Sequence, residues 1–516
     1  MKRRDFIRTA AGFTSAAILR GSQFVTPASA PVPGIVEIGS TRQAFLDDLL
    51  IFEASRVDKF VARPQKYPKN PIIHADRDWE RGRAPGEDDG VELFGQSVIY
   101  DQEEKIFKMW YLPVPWPNQL RPWCYAVSSD GYRWEKPDLG IYEYKGLKKN
   151  NILNAWNDSI GVCYLNVIKD DHDPDPQRRY KAMGELEGPP PANTNGGAAV
   201  AFSPDGIHWN EYEGNPVVHH GPNMGDSPAM LGWDPKIKKY VFYPRPGHPL
   251  APEIYGNGDH RHIRSYGYST SDDFIHWTPT RMMLTPDHDD RNDYQYMQYT
   301  AGIDGEFYIG FNAVYETHEQ TWDIFLMSSR DGFHWNWIDR KVPFLGRSEY
   351  PGYDAGYMTP SGPIFHDNQV WIYYGAFSGA HSYNSSKLGV DRMTVALCTL
   401  PQNRWMGLMA GPHRATIITR PLIFKGSKLM VDIEAGLPME KPRNPPRYDE
   451  CEVRAALEDQ SGGRIEGFTI DRSKVLRASG EQAMIWEGGD TGKLAGKPVR
   501  IRFEMHSAAL YSIQFL

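Results

Sequence analysis

Four copies of a short motif, Ser-x-Asp with a Trp four residues after the Asp, constrain the fold of this chain more than any other feature. Each copy follows a short run typical of a β-strand, and three copies carry Gly directly after the Asp. This pattern favours a hairpin, because Asp caps the turn and Gly takes a positive φ. We interpret the motif as a structural staple and not as four catalytic acids. The copies are residues 128–134, 203–209, 271–277 and 329–335.

A second pattern precedes each staple: an apolar run, a turn that usually contains Asp, and an aromatic run. A fifth copy follows the fourth staple. Repeats of roughly 60–75 residues with about four short strands each are typical of β-propeller blades. We therefore predict a five-bladed β-propeller over residues 35–403, with residues 43–51 supplying a closing outer strand.

The pattern changes near residue 400, where the staples stop. Alternating apolar and polar residues then predict an antiparallel β-sandwich over residues 404–516. The fold class is therefore all-β: a five-bladed β-propeller followed by a C-terminal β-sandwich. The predicted sandwich strands are residues 422–424, 428–433, 451–457, 483–486, 499–503 and 510–515.

The N-terminus carries an export pattern. Lys2-Arg3-Arg4-Asp5-Phe6-Ile7 is a twin-arginine motif, an apolar stretch follows at 10–19, and Ala28-Ser29-Ala30 is a small-residue cleavage site. We predict a twin-arginine signal peptide over residues 1–30 and a periplasmic or extracellular protein. A Sec signal or an uncleaved tether is the alternative. The stretch is too short for a lasting transmembrane anchor, and no other segment is apolar enough to be one.

Charge and cysteine content argue against several classes of protein. The net charge is −8, and no Lys/Arg run follows the first few residues, so nucleic acid is not an expected partner. The four cysteines show no CxxC spacing, which argues against a zinc site or a disulfide scaffold. We expect most of them to be buried. The oligomeric state is left open.

Acidic residues lie close before several of the predicted inner strands. The innermost strands of a propeller begin at one mouth of its channel, so these acids are expected to converge there. Glycosidic cleavage needs such a group: one carboxyl protonates the leaving oxygen and another attacks or activates water. We predict Glu92 as the acid, Asp354 as base or nucleophile, and Asp226 in a base or pKa-tuning role. For each acid the alternative is a capped turn, and Asp158 and Asp293 occupy related positions.

Four further residues are predicted to bind substrate. Trp110 and Tyr111 form a possible stacking platform, although core packing is an equal alternative. Arg245 follows an aromatic strand and could hold a carboxylate or sulfate, with surface pairing as the alternative. Glu316, after a strand of the fourth repeat, completes the set.

No cofactor is expected, and no phosphate loop, HExxH helix or GxSxG elbow occurs where those chemistries require one. Two acidic loops, residues 170–175 and 287–290, could bind a structural calcium ion through oxygen ligands, although solvated turns explain them as well. His260 and His262 give only a weak signal as ligands or bases.

Several segments resemble a group of secreted bacterial proteins similar to glycoside hydrolase family 32 and the wider five-bladed propeller glycosidases. The resemblance covers roughly residues 40–516 and implies a propeller, a sandwich and hydrolysis by a carboxylate pair. The chain lacks the Trp-Met-Asn-Asp-Pro-Asn-Gly, Arg-Asp-Pro and Glu-Cys acid motifs of that family, so fructan specificity does not carry over. The resembling segments are residues 45–51, the staples, 134–140 with 149–152, 225–228 and 511–515.

Three functions follow, in order of preference. The first is an exported glycoside hydrolase acting on a poly- or oligosaccharide. The second is a non-catalytic glycan-binding or surface-assembly protein. The third is a polysaccharide lyase or other sugar-modifying enzyme that uses His or Tyr as its base.

Overall fold

The computed structural model describes residues 34–81, 90–113, 122–153, 162–186, 196–246, 263–381, 393–436 and 451–516, without the side chains of Val162, Asp226 and Pro228. The predicted signal peptide and the candidates Asp158, His260 and His262 lie outside the described residues. In the part of the chain that is described, no helix has the length and apolar character needed to span a membrane.

The described secondary structure is almost entirely β, as short apolar runs between turn residues predict. Helical turns within these ranges are short 3₁₀ segments at Asp78–Glu80, Pro176–Arg178, Ile470–Arg472 and Thr491–Leu494. The strands before the first repeat are β1 (Val36–Gly39), β2 (Gln43–Ala44), β3 (Ile51–Ser55), β4 (Val57–Val61) and β5 (Gln65–Lys66).

Each predicted repeat forms a set of antiparallel strands. Repeat one contains β6 (Val91–Glu92), β7 (Val98–Asp101), β8 (Ile106–Pro113) and β9 (Cys124–Ser128). Repeat two contains β10 (Val162–Lys169), β11 (Tyr180–Leu186), β12 (Gly197–Ser203), β13 (Asn210–Glu211) and β14 (Val218–His219). Repeat three contains β15 (Asp226–Asp234), β16 (Lys239–Arg245), β17 (Tyr266–Ser271) and β18 (Arg281–Leu284).

The remaining strands complete the propeller and the C-terminal domain. Repeat four contains β19 (Tyr294–Asp304), β20 (Phe307–Glu316), β21 (Thr321–Ser329) and β22 (Asn336–Trp337). Repeat five contains β23 (Tyr357–Pro360), β24 (Ile364–His366), β25 (Gln369–Phe377) and β26 (Met393–Pro401). The C-terminal strands are β27 (Met406–Ala410), β28 (Ala415–Thr419), β29 (Leu422–Phe424), β30 (Leu429–Ala435), β31 (Glu452–Asp459), β32 (Gly480–Ala483), β33 (Val499–His506) and β34 (Ala508–Phe515).

We call the first strands of each repeat the inner strands and their antiparallel partners the middle strands. The inner strands are β6 with β7, β10, β15, β19, and β23 with β24; the middle strands are β8, β11, β16, β20 and β25. The inner strands contact one another in chain order. Strand β7 contacts β10, β10 contacts β15, β15 contacts β19 and β19 contacts β23, and β24 returns to contact β7. Repeats one, two and three form separate sheets, while repeats four and five share one sheet through the single pair Trp322 and Tyr357. The predicted all-β fold class, with a propeller followed by a sandwich, is confirmed.

The strand that completes repeat five is β5, which pairs antiparallel with β26. The prediction that residues 43–51 supply this strand is wrong. Strand β2 instead pairs with β34 and β3 pairs with β28, both in the C-terminal domain. Residues 36–61 thus lie in the sandwich, and the propeller does not begin near residue 35. The alternation of β1 to β4 marks them as strands but does not identify their partners.

The sandwich consists of two six-stranded sheets, and the N-terminal segment gives two strands to each. One sheet has the order β1-β29-β33-β28-β3 with β31 also paired to β33, and the other has the order β32-β30-β34-β27-β4 with β2 also paired to β34. Apolar residues of the sandwich and of repeats four and five form one continuous core. Trp405 lies at this junction, where its ring packs 6.0 Å from Phe311 and its Nε1 donates to Asp304 at 2.6 Å.

The hydrogen bonds of the staples confirm their structural role. In the first copy, Asp130 Oδ1 accepts from the backbone N–H groups of Tyr132 and Arg133 at 2.9 and 2.8 Å. Ser128 Oγ accepts from the N–H of Gly131 at 2.8 Å, and Gly131 has a φ of +74°. Tyr373 of repeat five donates to the carbonyl of Gly131 at 2.9 Å, which ties the last repeat to the first.

A second repeated acid lies at or near the end of four inner strands and binds an aromatic side chain of the next unit. Asp101 accepts from the Tyr180 hydroxyl at 2.8 Å, and Asp234 accepts from the Tyr308 hydroxyl at 2.6 Å. The same link joins Asp170 to Tyr240. Because these acids follow the repeat, they act as structural links between neighbouring strand sets.

Candidate active site

The two ends of the propeller strands differ in what they carry. The turns between inner and middle strands define the turn end, which holds the staples and the acids that bind the next repeat. At the opposite end, which we call the mouth end, each inner strand begins beside the end of its middle strand. The residue pairs that define it are Glu92 and Leu112, Cys163 and Glu185, Asp226 and Arg245, Gln295 and Tyr315, and Tyr357 and Phe377.

Inner-strand pairing is irregular at the mouth end. The register shifts between Cys163 and Asn166 and again between Asp226 and Ala229. Within these shifts Tyr164 has a φ of +52° and Ser227 a φ of +47°. Bulges redirect side chains, and strained backbone of this kind clusters at functional sites. The irregularity therefore favours the mouth end as the functional end.

A buried polar chain crosses the mouth end between repeats two and four. Glu185 Oε2 accepts from the N–H of Ser227 at 3.0 Å, and its Oε1 lies 3.1 Å from His220 Nε2. Arg245 Nη2 donates to Ser227 Oγ at 2.9 Å and to the carbonyl of Met297 at 2.6 Å. The Ser227 N–H favours the ionised form of Glu185, and His220 does the same when its imidazole carries a proton. The bulge at Ser227 connects the anionic and cationic parts of this chain.

Glu92 and Asp226, two of the predicted catalytic acids, both lie at the mouth end by backbone position. Glu92 is in the short strand β6 and is buried. Asp226 is the first residue of β15 and lies opposite Arg245, although its side chain is outside the described part of the structure. The residue after it is bound to Glu185. Glu92, Glu185 and Asp226 therefore belong to the same end of three consecutive repeats.

Aromatic side chains form the wall of the mouth end in repeats four and five. Tyr357 stacks on Trp322 and on Phe377 with ring centroids 3.8 Å apart in each pair. The half-buried ring of His381 lies against Trp322 at 5.5 Å. Phe94 packs edge-on against Tyr164 at 4.9 Å near the acidic side. Tyr357, Trp322 and Phe377 are buried and pack as a small core, whereas Phe94 and Tyr164 are only partly buried.

The predicted catalytic residue Asp354 has a different environment. Its side chain is fully buried, and Oδ2 forms an ion pair with Lys66 Nζ at 2.6 Å. Tyr374 donates to the same oxygen at 3.3 Å, and the N–H of Ser348 donates to Oδ1 at 3.2 Å. Strand β5, which carries Lys66, is the outer strand of repeat five. The Asp354 carboxylate therefore holds strand β5 against repeat five, and its charge and hydrogen-bond partners lie within the protein.

Trp110 and Tyr111 do not form the predicted stacking platform. Trp110 is fully buried, and its Nε1 donates to the carbonyl of Gly206 in the next staple at 2.8 Å. Tyr111 is also buried and donates to Glu80 Oε1 at 2.5 Å. Both side chains are part of the packing between strand sets, which was the alternative from sequence.

The other two predicted binding residues lie at the mouth end. Arg245 is buried at the end of β16, so the alternative of surface pairing is wrong. Glu316 ends β20 and accepts from Tyr294 at 3.3 Å, while Arg291 Nη1 lies 3.2 Å from the same oxygen. Substrate binding by Arg245 and Glu316 stays a prediction.

Sequence reasoning missed Glu185 and His220. Glu185 comes five residues after Tyr180, and Arg245 comes five residues after Tyr240. Tyr180 and Tyr240 are equivalent, because each binds the acid of the preceding repeat. Aligning the repeats on these tyrosines would have put Glu185 and Arg245 at equivalent positions of neighbouring repeats, as oppositely charged residues at the same end. No local sequence signal identifies His220.

The two acidic loops bind cationic side chains of the protein itself. Buried Lys181 lies 2.7 Å from Asp170 and 2.9 Å from Asp173. In the second loop Arg340 makes two 2.7 Å hydrogen bonds to the carboxylate of Asp287. Among the described residues, no cluster of three His, Cys, Asp or Glu side chains could hold a metal ion. Ion pairs therefore account for both loops.

No family model and no curated protein matches the chain. Solved structures that align with it include a glycosyl hydrolase from Bacteroides ovatus, with 14% identity over 66% of this protein and 93% of that one and a TM-score of 0.42. Another comes from the GH130 family of mannoside phosphorylases, which contains glycoside hydrolases that target β-1,2 mannosidic linkages in Candida mannan. It aligns with 13% identity over 66% of this protein and 94% of its own length, with a TM-score of 0.42.

The Bombyx mori GH32 β-fructofuranosidase BmSUC1 aligns over 88% of this protein and 94% of its own length, with 11% identity and a TM-score of 0.40. These values are too low to assign a reaction. The protein's own residues therefore carry the functional argument.

Proposed function

We propose that this protein is an exported glycoside hydrolase that cleaves a glycosidic bond of an oligo- or polysaccharide at the mouth end. The observation that supports it most is the position of Glu92, Glu185 and Asp226 in three consecutive repeats, at the end where the inner strands are bulged. The partly buried rings of Phe94 and Tyr164 at the same end are proposed to contact a sugar ring.

The proposed chemistry divides the acids by environment. Hydrolysis requires one protonated carboxyl to assist the leaving oxygen and one carboxylate to attack or activate water. Glu92 is buried and is proposed as the acid. Asp226 is proposed as base or nucleophile in place of Asp354, whose carboxylate is paired with Lys66. Glu185 accepts from the Ser227 N–H and lies 3.1 Å from His220, and it is proposed to stay ionised and to position its neighbours.

A screen of the purified protein against plant and algal polysaccharides, with product analysis, tests this proposal. We expect new reducing ends on saturated products, and loss of this activity in Glu92→Gln and Asp226→Asn. The staple variant Asp130→Asn is the matched control, because it removes a carboxylate at the turn end. Unchanged turnover in both mouth-end variants would refute the assignment.

The products also separate the alternatives. Unsaturated products, detected by their ultraviolet absorbance, would show that the protein is a lyase and not a hydrolase. Binding of a polysaccharide without turnover would replace it with a glycan-binding role.

Export by the twin-arginine route is proposed on the N-terminal motif, with a periplasmic or extracellular destination. Replacement of Arg3 and Arg4 by Lys should retain the protein in the cytoplasm, as measured by cell fractionation. Unchanged export would favour the Sec alternative.

A further inference from the structure

Glu185 and His220 form a close, largely buried pair at the mouth end. The side chains are 6% and 13% exposed, and Glu185 Oε1 lies 3.1 Å from His220 Nε2. The backbone fixes both residues: Glu185 is in β11, and the N–H of His220 donates to the carbonyl of Gly196 at 3.0 Å. A carboxylate at this distance and burial stabilises the charged form of the imidazole.

The described residues of the strands packed against the pair place the following groups beside it. Strands β10 and β12 present neutral Cys163 and Ala198 opposite Glu185. Strand β15 contributes Ser227 and the backbone of Asp226, and β16 contributes Arg245, which reaches the pair through Ser227 Oγ. His219, next to His220, is exposed.

We propose that His220 is a positioning residue whose imidazole exchanges one proton with solvent near neutral pH and thereby sets the net charge beside the catalytic acids. This inference rests on the proposed function for its effect on rate, but not for the existence of the pair. With the proton on His220, the pair is neutral overall. After the proton leaves to water, the pair carries one negative charge, and the mouth end gains one negative charge.

The added charge has a defined consequence for hydrolysis. A nearby negative charge favours the protonated form of a neighbouring carboxyl. Loss of the His220 proton should therefore help to keep the catalytic acid protonated as the pH rises. The rate of the chemical step should then change over the same pH interval in which His220 titrates.

The first experiment follows the pair without any substrate. The imidazole resonances of histidine-labelled protein are followed by NMR between about pH 5 and pH 9, and His220→Gln assigns the relevant signal. We expect Glu185→Gln to lower the midpoint of the His220 titration by about 1 pH unit or more, because the carboxylate partner is lost. His219→Gln is the matched control and should leave the midpoint unchanged. If Glu185→Gln leaves the midpoint of the His220 titration unchanged, the electrostatic coupling between Glu185 and His220 is refuted.

The second experiment measures kcat against pH on whichever polysaccharide the screen identifies. The parent protein should show an inflection at the NMR midpoint of His220. That inflection should be absent in His220→Gln and present in His219→Gln. An inflection that persists in His220→Gln would overturn the effect on rate even if the NMR result holds. Absence of hydrolysis on all polysaccharides would count against the proposed function alone, because the NMR result does not depend on it.

Discussion

The two ends of the propeller strands are built from the same repeats but hold their charges differently. At the turn end, Asp101, Asp170 and Asp234 each bind a tyrosine of the next repeat, and four staples repeat one set of hydrogen bonds. At the mouth end, the residues at the ends of consecutive middle strands differ: Leu112, Glu185 and Arg245 lie near or at these ends in repeats one, two and three. Acids that follow the repeat have fixed partners, whereas those that break it mark the candidate site.

Backbone regularity follows the same division except in repeat three, where the register also shifts between Met230 and Gly232. Inner and middle strands pair without a register shift over 98–101 and 166–169, near the turn end, while bulges interrupt the inner strands of repeats two, three and four at the mouth end. A bulge costs ladder hydrogen bonds but redirects side chains. The strong links at the turn end make such irregularity tolerable at the other.

The largest expected effect comes from removing one acid at each end of the same repeat. Glu92→Gln should lower the hydrolysis rate by about 100-fold or more with little change in melting temperature. Asp101→Asn should leave the rate per folded molecule unchanged but destabilise the protein by about 3 kcal/mol, because buried Lys108 loses its 2.9 Å ion pair. Rate assays and thermal melts of both variants test the division. Loss of activity in folded Asp101→Asn would contradict it.

The next effect concerns Asp354, which the sequence suggests as catalytic and the structure shows as buried. Asp354→Asn should destabilise the fold by about 2 kcal/mol, since Lys66 keeps its charge without its partner. The double variant Lys66→Met with Asp354→Asn should recover part of that loss. Urea unfolding of the three proteins measures the coupling, and activity per folded molecule should be unchanged. A large loss of turnover in the folded single variant would restore Asp354 to the site.

A smaller effect should appear at the staples. Asp331→Ala removes hydrogen bonds to the N–H groups of Phe333 and His334, at 2.9 and 2.7 Å, and should cost about 1 kcal/mol. Asp205→Ala, in the equivalent position of repeat two, should cost a similar amount because the contacts are the same. Chemical denaturation measures both. Very different losses would mean that the copies are not equivalent.

Features that repeat could be predicted from the sequence because each is local. The Asp-Gly turns, the staple residues and the apolar runs set short strands through neighbouring residues, so the propeller strands and five C-terminal strands could be predicted. The prediction omits β27 and β28, and its segment 483–486 overlaps β32 only at Ala483. The partners of β1 to β4 were not, because pairing with strands more than 300 residues away leaves no local pattern. A strand with alternating apolar and polar residues can pair with any free sheet edge, so its sequence does not identify its partner.

The site was only partly predictable for the same reason. The positions of Glu92 and Asp226 at the mouth end could be predicted because an inner strand must begin there, while their catalytic roles stay predictions. Asp354 also precedes an inner strand, but its side chain turns toward Lys66 of a distant segment, which spacing does not reveal. Glu185 and His220 lie in other strands and meet only through the folded sheet.

The smallest effect is the dependence of stability on pH, which should have opposite signs for two groups. Backbone hydrogen bonds at the staple outweigh the effect of burial and lower the pKa of Asp130 to about 2. The folded state then binds fewer protons than the unfolded state between about pH 4 and pH 2, so this contribution to stability is lost as the pH falls.

Burial raises the pKa of Glu80 despite its contact with Lys136, so its contribution is present below the ordinary pKa of Glu and is lost as the pH rises above it. Asp130→Asn should therefore flatten the acid side of a plot of melting temperature against pH. Glu80→Gln should instead reduce the decline of melting temperature above about pH 4.5. If both variants changed the same side of the plot, the assignment of one of the two shifts would be wrong.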